Sequence, residues 1–263
     1  MLQRQASSSG VVYYTSPLLS AAAVPHAFST RIGGISPPPM DSLNLGNPTG
    51  CAVQDNTDRI QQNYQRLQSA ILPTPRDRYF VHQIHGGIVA NADSPTFENG
   101  QQADALLTTD NKKILAIRTA DCVPILLSDV SGKTLASVHA GWRGVIANVI
   151  PNTISQMRSK PQHLLAAIGP CIGFDAFEVG PEVLDHFATA FGNDAPIRRD
   201  KNGKGHVDLR QACRLQLLRA GIPESQIDQT DRCTFRDANE FFSHRRDNGI
   251  TGRMAALIGP RIS

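Results

Sequence analysis

The chain has 263 residues, a formal charge of +3, 40% apolar residues and 19% charged residues, proportions ordinary for a soluble globular protein. That charge is too small to argue for a nucleic-acid partner, and Arg198-Arg199-Asp200-Lys201 and Arg245-Arg246-Asp247 are interrupted by acids, so they read as solvated loops. Five widely spaced cysteines with no CxxC (Cys51, Cys122, Cys171, Cys213, Cys233) exclude a disulfide framework and suit a reducing compartment. The polar start lacks the apolar stretch of a leader, and Pro17–Val24 is too short and broken to span a bilayer. The expectation is a cytoplasmic protein with a disordered segment 1–10 and one domain over 11–263, whose partners are small molecules rather than nucleic acid or membrane.

In chain order, Val11-Val12-Tyr13-Tyr14 reads as a strand. His26 to Arg31 then runs into a Gly/Pro-rich loop, Gly33 to Pro39, closed by Asp41-Ser42-Leu43-Asn44-Leu45-Gly46. Arg31 and Asn44 at the ends of that loop are candidate substrate-binding residues, since scaffolded loops often carry function. A helical stripe of Ile60, Tyr64, Leu67 and Ile71 follows the capping cluster Asp55–Asp58 and stops before Pro73. Tyr79–Ala90 reads as a strand interrupted at Gly86-Gly87, on which His82 and His85 would point to opposite faces, so at most one joins a given site. His85, beside the glycines, is the better candidate.

Ile114–Ile117, Pro124–Leu127 and Thr134–Ala140 are apolar runs separated by a polar cluster and by the turn signal Asp129-Val130-Ser131-Gly132, which reads as a strand, a break and a hairpin. With Val130-Ser131 as a two-residue loop, Cys122 falls directly opposite His139. Such a pair suits a metal ion, a Cys–His dyad, or simply a buried thiol beside a histidine. Gly141-Trp142-Arg143-Gly144 then reads as a turn serving a ligand. The stripe from Val145 to Met157 predicts a helix kinked or ended early by Pro151. Leu164–Ile168 is a strand, Cys171 reads as a buried apolar residue, and Pro181 opens a helix through Phe191. Residues 191–205 read as a loop, Asp208 caps a helix ending near Gly221, His244 lies on a polar loop, and Met254–Ile258 is a last strand. Short strands and helices without a βαβ rhythm predict an α+β fold, a single domain of mixed β-sheets flanked by helices.

The ordered segments FSTRIGGIS (28–36), SLNLG (42–46), QIHG (83–86), ADA (103–105), TADCVP (119–124), VHAGWRG (138–144), IGPCIG (168–173), FEVG (177–180) and Asp208-Leu209 resemble the YfiH-like family, also named multicopper polyphenol oxidase (laccase) or purine nucleoside phosphorylase. The resemblance runs from about Phe28 to the C-terminus and implies the same α+β architecture. It implies a zinc ion on His85, Cys122 and His139, and with it a phosphorolysis of purine nucleosides accompanied by adenosine deamination. Some relatives are described as peptidoglycan editing factors acting on a cell-wall precursor. Two departures are visible: Gly46–Cys51 replaces an acidic segment, and Phe177 stands where the family often has Tyr.

On that resemblance His85, Cys122 and His139 are both the metal set and the catalytic set. Three such ligands leave an open position suited to a catalytic zinc. Phosphate would need an arginine, with Arg143 and Arg31 as candidates beside Asn44, and Asp121 or Glu178 as candidate acids. The same ligands could hold copper in vitro, but eight histidines with no HxH pair do not make a four-copper cluster. A metal-free Cys–His hydrolase, an editing amidase and a zinc-stabilised binding domain are the alternatives.

Overall fold

The computed structural model describes residues 1–261. Strands β1 (Gln3–Ala6) and β2 (Val12–Thr15) form a hairpin, followed by helix α1 (Pro17–Ala21) and β3 (His26–Ser29). The first ten residues, expected to be disordered, thus hold a strand: Gln3–Ala6 pairs in register with Val12–Thr15, and the terminal amine reaches Asp228 at 3.1 Å. An edge strand needs backbone bonds more than apolar side chains, so its polar sequence concealed it.

Helix α2 (Thr57–Ser69) starts at Asn56, whose side chain accepts from Asp58 N, and buries Tyr64 and Leu67. Then come β4 (Arg78–Phe80), β5 (Val89–Asn91), β6 (Ala105–Thr108), β7 (Ile114–Thr119), β8 (Val123–Asp129) and β9 (Leu135–Ala140). The helix predicted over Val145–Met157 is two, α3 (Trp142–Ile146) and α4 (Val149–Gln156), separated by Asn148 in the left-handed conformation. The break therefore precedes Pro151, which sits in the first turn of α4, where an N–H has no partner inside the helix. GWRG is accordingly the start of α3 rather than a free turn.

After β10 (Leu164–Ile168), β11 (Glu178–Val179) and α5 (Pro181–Phe191), the segment read as a loop contains β12 (Ile197–Arg199) and leads into β13 (Gly205–Val207). Three-residue strands carrying charged side chains leave no period-two signal to read. Helix α6 (Leu209–Arg219), with Asp208 accepting from Gln211 N at 2.9 Å, is followed by β14 (Ile227–Gln229) and β15 (Met254–Ile258).

The strands form two six-stranded mixed sheets, ordered β1-β2-β3-β15-β7-β4 and β14-β10-β8-β9-β6-β5, and a small one, β11-β13-β12. Strand alternation sorts the side chains into three apolar layers. Leu115 and Ile117 of β7 meet Leu126 of β8 and Ala167 of β10 between the two large sheets. Ile114 and Ala116 face the other way, under Tyr64 and Leu67 of α2. Ile125, Leu127 and Val138 face the helices α4, α5 and α6 on the far side of the second sheet. The order is α, β, β, α, and central strands buried on both faces read as continuous apolar runs.

The β8–β9 hairpin departs from its predicted register. Asp129 N bonds to Thr134 O, the Asp129 carboxylate accepts from Lys133 N and Thr134 N, both at 2.8 Å, and Gly132 takes φ +70°. The loop holds Val130 to Lys133, so Pro124 rather than Cys122 lies opposite His139. A slip of two residues keeps every side chain on its face, and Cys122 and His139 remain on the inter-sheet side.

Leu126 is fully buried between the sheets, and Leu126→Ala should lower unfolding free energy by about 2–5 kcal/mol, measured by equilibrium denaturation.

Candidate metal centre

The site lies at one end of the inter-sheet layer. His139 ends β9, Cys122 stands just before β8, and His85 comes from the segment joining β4 of one sheet to β5 of the other. One ligand atom from each of the three lies within 4.8 Å of the other two, a spacing and donor set that fit a tetrahedral soft-to-borderline cation with one position open. The His85 and His139 rings meet edge to face, with centroids 4.9 Å apart. Exposure is graded: His139 is buried, Cys122 half-buried and His85 exposed. Gly141 keeps the centre clear, since a Cβ there would lie 3.0 Å from both Cys122 Sγ and His85 Cδ2.

Asp104 builds this geometry. Its carboxylate, fully buried, accepts from the backbone N–H of His85 at 2.9 Å, Gly86 at 2.6 Å and Ile84 at 3.3 Å, and from His139 Nδ1 at 2.9 Å. A carboxylate only accepts, so Nδ1 carries the proton and Nε2 is left for a ligand. The three backbone bonds hold His85 at φ +60°, away from a strand conformation, which is why its predicted placement on a regular strand fails. His82 makes only an isolated bridge to Gln102, and because the chain leaves the strand both His82 and His85 line the same cavity. Only His85 joins the ligand cluster. Glycines let this loop sit close on α3: a Cβ at Gly87 would lie 2.3 Å from Ala147 O.

The three groups are electrostatically coupled. Burial opposes ionisation of Cys122, but the charge of His139 and hydrogen bonds from His139 and His85 outweigh it and bring the thiol down to about 6. Burial likewise opposes the His139 imidazolium, yet the Cys122 thiolate and Asp104 raise it to about 9. Asp104 itself is held below the ordinary carboxylate range: burial acts against this and is outweighed by His139 and the backbone N–H donors. Cys171, fully buried, is pushed up to about 11 by desolvation, as its reading as an apolar residue requires.

The ligands open into a cavity of about 440 Å³ whose wall includes Arg118, Arg143, Arg245 and Arg253. Its one carboxylate, Asp121, accepts from Thr234 Oγ1 at 2.6 Å and Arg245 N at 2.7 Å. Trp142, Ile172, Phe177 and Leu209 form an apolar wall. Of the substrate-binding candidates, Arg143 lines this cavity, over the Trp142 ring at 4.2 Å. Arg31 does not: it is paired with Asp41 at 3.0 Å, rests on Phe242 and lines a separate hollow. Nor does Asn44, which is fully buried and bonds to the backbone N–H of Gly46 and Arg253. Glu178 lies outside the cavity in an exposed pair with Lys204, whereas His244 and Arg245, read as a solvated loop, line it. Sequence reasoning gave no role to Asp104, although it stands in the ADA segment, and passed over Arg118 and Arg253. The available signal was a charged residue set in an apolar context, Ala103-Asp104-Ala105 and Ala116-Ile117-Arg118, since lone charges there are rarely incidental.

Residues 25–261 match the family described as multi-copper polyphenol oxidoreductase laccase. The chain is 40% identical over 230 residues to purine nucleoside phosphorylase YfiH of Shigella flexneri, covering 88% of this chain and 91% of that protein. It is 38% identical over 248 residues to a purine nucleoside phosphorylase of Deinococcus radiodurans, covering 92% of each. The crystal structure of YlmD from Geobacillus stearothermophilus superposes with a TM-score of 0.86 at 32% identity, over 98% of this chain and 99% of that one.

Two outcomes test the site. Asp104→Asn should weaken binding of a divalent ion by about 10–100-fold, read by competition with a chromophoric chelator. In metal-free protein the Cys122 thiolate forms above about pH 6, so iodoacetamide should label it with a midpoint near that pH and leave Cys171 untouched, as mass spectrometry of the digest would show.

Proposed function

The chain belongs to the laccase-like family that includes these YfiH proteins, and on that premise we propose that it is a zinc-dependent purine nucleoside phosphorylase with adenosine deamination as a companion activity. The observation that carries the reading is the wall of four arginines around the Cys–His–His cluster, set against a single, already engaged carboxylate. Such a cavity favours an anionic reactant, and its volume lies in the range that encloses a small molecule.

In phosphorolysis an oxygen of inorganic phosphate bonds to C1′ of the ribose while the C1′–N9 bond breaks; its electron pair leaves with the purine, which takes up a proton. Guanidinium groups hold the phosphate by paired, charge-assisted bonds and offset its repulsion as it approaches. Trp142, Ile172, Phe177 and Leu209 supply the apolar wall for the base. Zinc on His85, Cys122 and His139, when bound, would supply Lewis-acid chemistry. Asp104 fixes the His139 tautomer so that Nε2 faces Cys122, and the Cys122 thiolate is favoured near neutral pH.

The laccase in the family's description does not extend to a four-copper oxidase here. Among the described residues, the other group that could hold a metal is Glu178, Asp200 and His206, where Lys204 and Arg198 already neutralise the acids. The five free thiols support a cytoplasmic setting.

Elemental analysis of the purified chain should find one zinc. Inosine should yield hypoxanthine and ribose 1-phosphate only when phosphate is present, and Cys122→Ser should lose both zinc and turnover. Base release without phosphate would point to a hydrolase instead, and turnover that survives exhaustive chelation to a metal-free mechanism.

A further inference from the structure

The four cavity arginines are not equivalent. Arg143 is exposed and lies over Trp142, and Arg245 donates to Glu178 O at 2.9 Å and rests over Phe177 at 5.2 Å. Arg118 and Arg253 are the half-buried pair. Arg118 lies on β7 directly opposite Ala255 of β15, and Arg253, just ahead of β15, lines the same cavity close enough for the two charges to interact. Like charges held together in this way repel, and among the described residues no carboxylate lies within ion-pairing reach of either. Burial, and next the charge of Arg118, hold Arg253 below its ordinary range.

The surrounding chain is shaped to keep them there. The Gln83 amide brackets Arg118 from the side, donating to its carbonyl at 2.7 Å and accepting from its N–H at 2.8 Å. Gly46 leaves room for the side chain, since a Cβ there would lie 2.6 Å from Arg118 Cδ. Asn44 Oδ1 accepts from Gly46 N at 3.2 Å and from Arg253 N at 2.9 Å, so one buried amide sets both the gap for Arg118 and the backbone of Arg253. The Arg253 Nη1 group is engaged with Thr251 O and Gly252 O, both at 3.1 Å, which leaves its other nitrogens to donate elsewhere.

We infer that Arg118 and Arg253 together form the subsite for inorganic phosphate, with Asn44 and Gly46 as positioning residues that assemble it. Two adjacent guanidiniums without an ion-pair partner match a dianionic tetrahedral oxyanion, which accepts several charge-assisted bonds at once. The assignment rests on the phosphorylase reading for its identity as the attacking phosphate, while the anion site itself rests on the geometry.

Two measurements on the full chain separate these. In inosine phosphorolysis, Arg118→Gln and Arg253→Gln should each raise the KM for phosphate about tenfold or more, the loss of a charge-assisted bond, and leave the KM for inosine nearly unchanged. Lysine at either position should restore part of the loss. Gly46→Ala removes no charge, yet should raise the phosphate KM by displacing Arg118. Calorimetric titration with inorganic phosphate reads the same subsite without turnover: weakened binding in both glutamine variants supports the site even where inosine proves not to be a substrate, which would sink the phosphorylase reading alone. Phosphate affinity unchanged in both variants, or lost only on Arg143→Ala, overturns the inference, as does a parent chain that binds no phosphate.

Discussion

A buried carboxylate that is not fully hydrogen-bonded is expensive, and Asp104 answers that requirement with four donors from two places in the chain. Its backbone begins the approach to β6, its oxygens hold the N–H groups of Ile84, His85 and Gly86, and it accepts from the imidazole at the end of β9. The loop between the two sheets, the tautomer of His139 and the left-handed backbone of His85 all follow from satisfying one charge. Truncating it would leave three backbone donors and a histidine without their shared acceptor, so the effect would spread beyond one hydrogen bond.

The second organising constraint is the double burial of the central strands. Once both faces of β7, β8 and β15 are covered, polar side chains can appear only at strand ends, where the layers open. Cys122, His139 and Arg253 occupy such ends, and Arg118 is the penultimate residue of β7. The cavity therefore lies at the tip of β7, where Arg118 and Arg253 meet the thiol and imidazoles of the neighbouring strand ends.

Much of this was legible. The central strands, the three main helices with their caps, and the convergence of Cys122 with His139 follow from periodicity and turn signals; the third ligand, His85, came from the family resemblance. What was not legible has specific physical causes. The polar edge strand β1 is held by backbone bonds, and the hairpin register was displaced because the Asp129 carboxylate folds a four-residue loop that composition alone reads as two. Asn44 and Arg31 looked like ligand contacts because polar residues on a Gly/Pro loop often are, and both are instead committed to internal bonds. Arg118 and Arg253 are far apart in sequence and become neighbours only through the β7–β15 pairing, a contact no local pattern announces.

The junction that carries His85 has a mechanical meaning as well. His85 lies on the segment that passes from β4 in the first sheet to β5 in the second, Cys122 on the short link from β7 in the first to β8 in the second, and His139 at the end of β9 in the second. An ion gripping all three would act as a clasp across the open end of a book, fastening the crossover to the hairpin at the edge where the apolar filling runs out. Occupancy and cohesion of the two leaves would then be one equilibrium, because whatever binds only the closed form adds its binding free energy to that of folding.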